Sequence, residues 1–224
     1  MNKNAEKPLS CPLCKAAGTF TPIPGQDERD YYHCPGCELI FIPPGQYLQP
    51  DAEKARYEEH KNGIQYRGYV RFLMQAIRPA IPLLKPGDAG LDYGCGPGPT
   101  LSILVEREGF SCQNYDPFFR PELPPGPHDF IFATECFEHF FDPHEEMQKL
   151  GSLLKPGGLL IIMTLFWQEK DDLINDYYFR DPAHCVFYHA TTMDFIASKY
   201  GYEIEYRSKK RVAILRKKPE SEAG

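Results

Sequence analysis

Leu91-Asp-Tyr-Gly-Cys-Gly-Pro-Gly-Pro-Thr100, LDYGCGPGPT, decides how the rest of this chain is read. An apolar residue and an acid lead into glycines at 94, 96 and 98. Alternating glycines let backbone turn tightly and admit a close neighbour. Working outward, AGLDYG reads as a buried strand, and PTLSILVEREGF behind the turn as a helix. Before it, YRGYVRFLMQAIRPAIPLL carries Tyr69, Phe72, Leu73, Ala76 and Ile77 at helical spacing, and these read as core. Pro79 and Pro82 are expected to end or kink that helix. Beyond the turn follow CQNYD and HDFIFATE as strands, EEMQKLGSLL as a helix and GLLIIMTLF as a fourth strand. TTMDFIASKYG reads as a helix closed by Gly201, and YEIEY with RVAILRKK as an antiparallel pair. Strand and helix alternation predicts an α/β fold, a mostly parallel sheet with helices on both faces and an antiparallel C-terminal hairpin.

The glycine turn discriminates among loop chemistries. A phosphate-cradling P-loop needs Lys and Ser or Thr after its glycines, and neither GKS nor GKT occurs. The dinucleotide fingerprint begins correctly at Gly94 and Gly96 but meets Pro99 where its third glycine belongs. What remains is D-x-G-x-G-x-G, with Asp116 at the end of the next strand. Ligands of open parallel sheets bind beyond the carboxyl ends of the strands, which places both segments at one crevice. There Asp92 can order the loop or meet an ammonium group, and Asp116 can accept both hydroxyls of a ribose.

Asp92, Gly94, Gly96 and Gly98 resemble the first motif of class I S-adenosylmethionine-dependent methyltransferases. Three further segments are similar to that family in order: NYDPFF with Asp116, DFIFATECFEHFFDP from Asp129 to Pro143, and LLKPGGLLIIMT. Together with RDPAHCVFY, Arg180 to Tyr188, and the cysteines described below, the chain resembles small bacterial methyltransferases. The resemblance covers residues 85 to 218 and implies a Rossmann-like sheet, an S-adenosylmethionine or S-adenosylhomocysteine site, and a methyl transfer. The cofactor residues it implies are Tyr57, Asp92, Tyr93, Gly94, Cys95, Gly96, Gly98, Tyr115, Asp116, Pro117, Phe118, Thr134, Glu135 and Cys136.

One departure stands out. Between Asp116 and Phe130 there is room only for a short proline-rich loop, so edge strand 3 and its adenine-binding acid are expected to be missing. Phe118 or Phe119 could stack on adenine in its place, or simply pack under the trimmed edge. The candidate catalytic groups are His184, His139 and Tyr188, with His189 beside them. His184 lies in what reads as an irregular lid, where it could serve as a base or fix the loop through a backbone hydrogen bond. His139 could act likewise or merely anchor its turn. Tyr57 and His60 could cap the cofactor pocket from an N-terminal helix, or be surface residues on it.

The remaining signal is N-terminal. Cys11, Cys14, Cys34 and Cys37 form C-x2-C, 19 residues, C-x2-C, with a proline in each knuckle and Gly36 in the second. Four thiolates from two tight turns suit a closed, structural Zn²⁺ site; two disulfides are the alternative. A module this short would draw most of its stability from the metal. The expected organisation is a zinc ribbon over residues 1–45, linking helices over 46–84 that cap the cofactor site, and the methyltransferase domain over 85–224.

The chain has 224 residues, 42% hydrophobic, and formal charge −6. No run of about 18 uncharged apolar residues and no signal-peptide pattern is present, so no membrane partner and a cytoplasmic location are expected. The acidic balance disfavours nucleic acid. RSKKRVAILRKK, Arg207 to Lys218, is a basic exception that reads as a solvated edge hairpin, with an RNA patch as the alternative. The expected partner is a small-molecule methyl acceptor. Methylation of RNA or protein through the ribbon, and a non-catalytic cofactor-binding module, are the competing functions.

Overall fold

The computed structural model describes residues 9–25, 27–59, 62–170 and 176–219. Three short strands come first, β1 (Thr21–Ile23), β2 (Tyr31–Cys34) and β3 (Leu39–Phe41), followed by helices α1 (Pro50–Glu58) and α2 (Arg67–Ala80). Then β4 (Ala89–Tyr93), α3 (Thr100–Arg107), β5 (Ser111–Tyr115), β6 (His128–Thr134), α4 (Pro143–Leu153) and β7 (Leu154–Met163) build the α/β unit. The chain continues through β8 (Phe166–Trp167), β9 (Val186–His189), α5 (Ala190–Tyr200), β10 (Tyr202–Arg207) and β11 (Val212–Lys217). No helix among the described residues is long and apolar enough to cross a membrane.

The larger sheet has the order β10-β11-β7-β6-β4-β5. Its inner pairs β7/β6, β6/β4 and β4/β5 are parallel, whereas β11 runs antiparallel to both β7 and β10. This is the Rossmann-like sheet and C-terminal hairpin expected, and it stops at β5, where the further edge strand was expected to be missing. The apolar runs explain burial on both faces. Phe130 and Phe132 of β6, with Leu159, Ile161 and Met163 of β7, pack with α2 and α3. Ile131 and Ala133, with Leu160 and Ile162, point into the opposite layer with α4 and α5. Helix α5 closes at Gly201, whose φ of 74° is the left-handed conformation glycine adopts freely. Helix α2 runs one residue past Pro79 and ends in a 3-10 turn at Ile81–Leu83, where Pro82 lies, so Pro79 does not end it.

Two features differ from the sequence reading. The segment read as an irregular lid is half strand: Val186–His189 is β9. It pairs antiparallel with β3, Ile40 opposite Phe187 and Phe41 opposite Val186, and completes a second sheet of order β1-β2-β3-β9-β8. The cysteine-bearing hairpins therefore do not stand apart. Leu13, Phe20, Leu39, Ile40 and Phe41 are buried in the same core as Ile131, Leu160 and Met193. Each such side chain is worth roughly 1.5–3 kcal/mol of burial, so apolar contact with the rest of the chain helps to hold this region.

Candidate active site

The loop after β4 is tied to its parallel neighbour, because the backbone N–H groups of Gly94 and Cys95 both donate to the Tyr115 carbonyl, at 2.8 and 3.0 Å. The three glycines of this loop have separate duties. Gly94 has φ 83°, and a Cβ there would lie 2.7 Å from the Cys136 Cβ, so it lets the ends of β4 and β6 close on one another. Gly96 has φ 64° and lines the cavity described below. Gly98 admits polypeptide rather than ligand: a Cβ there would come 3.3 Å from the Asn62 carbonyl, which accepts a 2.6 Å hydrogen bond from Thr100 Oγ1.

Asp116 locks this loop to the next. Its Oδ2 accepts from Gly96 N at 2.9 Å and its Oδ1 from Phe118 N and Phe119 N at 2.9 and 3.1 Å. A carboxylate offers about four acceptor positions, so a further donor can still be met. Asp92 is buried and does not line the cavity, and its Oδ1 has no hydrogen-bond partner among the described residues. Burial, then the nearby Asp116 carboxylate, pushes its carboxyl up to about 8. A raised pKa favours the protonated, folded form, so this contribution is complete below about pH 4 and is lost as pH rises toward about 8. Asp92→Asn is expected to stabilise the protein by more than about 1 kcal/mol at pH 8 and to flatten the fall in stability from pH 5 to 8. Urea denaturation at the two pH values checks this; an unchanged slope would show that Asp92 is ionised in the fold.

A cavity of about 810 Å³ opens over the ends of β4, β5 and β6. Of the cofactor residues expected from sequence, all but Asp92 and Gly98 line it. Tyr57 reaches in from α1, donating its hydroxyl to Glu53 Oε1 at 2.6 Å, with its ring 5.8 Å from Phe118 and edge-on to His139 at 5.0 Å. Phe119 does not line the cavity; its ring lies 6.0 Å from Lys54 Nζ. His60 lies outside the described residues.

The opposite end is built from the 3-10 turn Phe137–His139 and the segment 177–184. Glu138 is buried; its Oε2 accepts from Thr164 Oγ1 at 2.8 Å, while Oε1 has no hydrogen-bond partner among the described residues. His139 Nδ1 meets the Ala183 carbonyl at 3.0 Å and His184 Nδ1 the Tyr178 carbonyl at 2.7 Å. A carbonyl only accepts, so both Nδ1 atoms carry hydrogen. The rings are 4.8 Å apart. Burial, and then His184, hold His139 down at about 4, so it is neutral at physiological pH. The segment is clamped by Arg29, which donates to the carbonyls of Phe179, Asp181 and His184 at 2.6, 3.2 and 2.9 Å, and by Arg56, whose Nη2 meets Asp181 Oδ2 at 2.9 Å.

Tyr188 and His189 do not take part. Tyr188 is fully buried on β9, and its hydroxyl donates to the Phe137 carbonyl, so it packs the core instead of reaching the cavity. His189 caps α5, its Nδ1 accepting from Thr191 N at 3.2 Å. Conversely, Tyr69 and Phe72, assigned to the core by their spacing, line the cavity. Glu138, Tyr178 and Asp181 were not singled out in sequence. Their signal lay beside residues that were, one position from His139 and at the two ends of the Tyr178–Asp181 stretch that leads to His184.

The charge balance of the cavity suits a cation. Glu53, Asp116, Glu135, Glu138, Asp142, Glu145, Glu146 and Asp181 line it against Arg56 and Lys149. Glu135 is pushed well above the usual carboxylate range by burial and by Glu138, with Arg211 pulling the other way. S-adenosylmethionine carries a sulfonium and an ammonium group, and a buried carboxylate oxygen without a partner is what such a ligand would satisfy. Far from this cavity in sequence, the Sγ atoms of Cys11, Cys14, Cys34 and Cys37 lie within 4.8 Å of one another, with Cys11 to Cys37 and Cys14 to Cys34 both 3.5 Å. Tetrahedral thiolate coordination at about 2.3 Å requires sulfur separations near these.

Residues 65–206 match the methyltransferase domain family. The ubiquinone biosynthesis O-methyltransferase of Caulobacter vibrioides is 32% identical over 101 residues, covering 34% of this chain and 40% of that protein. The tRNA U34 carboxymethyltransferase of Syntrophotalea carbinolica is 32% identical over 143 residues, 60% of this chain and 43% of that one, so the chain spans under half the length of either relative. A solved S-adenosylmethionine-dependent methyltransferase from Archaeoglobus fulgidus shares the fold, with a TM-score of 0.52 at 20% identity over 68% of this chain and 96% of its own. With the sheet order, the glycine loop and a family match over more than half of its length, the chain belongs to the methyltransferase domain family.

Proposed function

We propose that the protein is an S-adenosylmethionine-dependent methyltransferase acting on a small-molecule acceptor, with a structural zinc ion on Cys11, Cys14, Cys34 and Cys37. The observation that carries this reading is one cavity that joins the glycine loop and Asp116 at one end to Glu138, His139 and His184 at the other. When bound, S-adenosylmethionine supplies a methyl group already activated on a sulfonium. The protein's task is alignment, which can be worth about 7–11 kcal/mol. Gly96 and Asp116 would hold the ribose end, and Phe118 would cover adenine where edge strand 3 is missing. The carboxylates would meet the cationic end, and Tyr57 would close over it. His139, neutral at physiological pH, and His184 would face the acceptor and handle its proton.

A small acceptor is favoured over RNA by charge. Four of the seven basic residues in the C-terminal stretch are paired with acids of this chain: Arg207 with Asp194, Arg211 with Glu135, Arg216 with Glu205 and Lys218 with Glu203. Incubating the protein with methyl-labelled cofactor and cell extract tests the reading. Label is expected in the low-molecular-weight fraction; label that ribonuclease or protease releases would overturn it. His184→Ala is expected to cut turnover by about 10²–10⁴-fold while leaving cofactor affinity unchanged, as read by steady-state kinetics beside calorimetry.

A further inference from the structure

We propose that Glu138 selects the acceptor, and that the acceptor carries a cationic amino group which the Glu138 carboxylate receives. This deepens the methyltransferase reading and rests on it. Glu138 follows β6 in the 3-10 turn Phe137–His139, is 1% exposed and lines the cavity. Its Oε1 has no hydrogen-bond partner among the described residues. Its other oxygen ends a row of donors. Leu165 N donates to the Tyr178 hydroxyl at 3.3 Å, that hydroxyl lies 2.8 Å from Thr164 Oγ1, and Thr164 Oγ1 donates to Glu138 Oε2 at 2.8 Å. The one hydroxyl hydrogen of Thr164 goes to the carboxylate, so the Tyr178 hydroxyl donates to Thr164. Every donor in the row then points toward Glu138, as an ionised carboxylate requires.

A buried carboxylate is costly without a counter-charge. Among the described residues no arginine or lysine forms a salt bridge with Glu138, because those around the cavity are engaged elsewhere. Arg211 meets Glu135 at 3.4 Å, and Arg56 meets Asp181 and Glu59 at 2.9 and 2.7 Å. Lys149 lies over the rings of Tyr93 and Tyr115, 5.1 and 4.9 Å from their centroids. The cavity as a whole points the same way, with eight carboxylate side chains lining it against two basic ones. S-adenosylmethionine, with a sulfonium, an ammonium and a carboxylate group, brings a single net positive charge, so the loaded cavity still favours a cation.

The cofactor is the other claimant for Oε1, and position favours the acceptor. Thr164 directly follows β7, whereas the glycine loop follows β4 and Asp116 follows β5. In the order β7-β6-β4-β5 those strands lie two and three places from β7, about 10 and 14 Å away at the usual strand spacing. Glu138, held to Thr164, therefore reaches toward the β7 side of the cavity, away from the ribose end. A hydroxyl on the acceptor would fill the hydrogen bond and leave the charge, and a carboxylate would be repelled; an ammonium group meets both needs. It anchors the acceptor and need not be the atom that is methylated.

The experiment is calorimetric titration of the full chain and of Glu138→Gln with benzylamine, benzyl alcohol and benzoate, which put a cation, a neutral donor and an anion on the same ring. Each is titrated with and without saturating S-adenosylhomocysteine. Wild-type protein is expected to bind benzylamine about 10-fold or more tighter than the other two, the size of a charge-assisted hydrogen bond. Glu138→Gln is expected to lose that preference and to keep the wild-type affinity for S-adenosylhomocysteine. Equal binding of the three, no binding of benzylamine, or a preference that survives in Glu138→Gln overturns the assignment. A variant that is folded by circular dichroism yet no longer binds S-adenosylhomocysteine gives Oε1 to the cofactor and overturns it too. A second measurement needs no variant. After incubation of the wild type with methyl-labelled S-adenosylmethionine and cell extract, the labelled small molecule is expected to be retained on a cation exchanger at neutral pH; label that passes through overturns the proposal. The two ideas fail separately: cofactor binding without amine preference removes the role of Glu138 and leaves the methyltransferase reading standing. Amine preference without cofactor binding does the reverse.

Discussion

Asp116→Ala is expected to weaken S-adenosylmethionine binding by about 100-fold or more in a calorimetric titration. Two effects add. The carboxylate would hydrogen-bond the ribose, and hydrogen bonds to charged groups contribute about 1.5–3 kcal/mol each. The same carboxylate ties Gly96 N to Phe118 N and Phe119 N, so alanine also releases the two loops that shape the cofactor end of the cavity. Asp116→Asn separates the effects. Its single carbonyl oxygen can keep the tie to Phe118 N and Phe119 N, while its NH2 group can accept neither from Gly96 N nor from a hydroxyl, so one loop is still held and affinity should fall less than with alanine. Wild-type affinity in the alanine variant would remove Asp116 from the cofactor site.

Stripping metal from the four-cysteine centre, or Cys37→Ser within it, is expected to lower Tm by about 10 °C or more. A change of 1 kcal/mol moves Tm by about 2–4 °C in a domain of this size, and structural zinc is worth on the order of 10 kcal/mol in isolated fingers. The effect should not stay local. Arg29, just before β2, holds three carbonyls of the segment that carries His184, and β3 is hydrogen-bonded to β9 directly after it. Turnover should therefore fall with metal content, and metal readdition should restore both. A stripped protein with unchanged Tm and turnover would mean that the apolar contacts of Leu13, Phe20 and Phe41 suffice, and that these cysteines are not a metal centre.

The parts of the fold that were legible in sequence are those written in local pattern. LDYGCGPGPT gave strand, turn and helix start from composition alone, and apolar runs such as FIFA and LLIIM marked strands buried on both faces. What could not be read is long-range. Nothing in VFYH or LIF announces that β9 and β3 pair, because a short apolar strand carries no address for its partner. Periodicity placed Tyr69 and Phe72 on the inner face of α2 but could not say that this face looks onto a cavity for part of its length. Tyr188 failed as a catalytic candidate because its strand is buried on both faces, Val186, Phe187 and Tyr188 alike. Gly98 looked like its two neighbours, and only the course of residues 62–63 shows that it accommodates chain.

The pairing of β3 with β9 also bears on the order in which the molecule can assemble. Phe187 is made 147 residues after Ile40, so the hairpin of β1, β2 and β3 emerges from the ribosome with its outer edge bare and stays so until those residues have followed. An exposed strand edge invites pairing with other chains. During that interval the hairpin has its own turns and its four sulfurs to hold it, so metal capture during synthesis would act as a chaperone built into the hairpin, guarding an edge that β9 later covers.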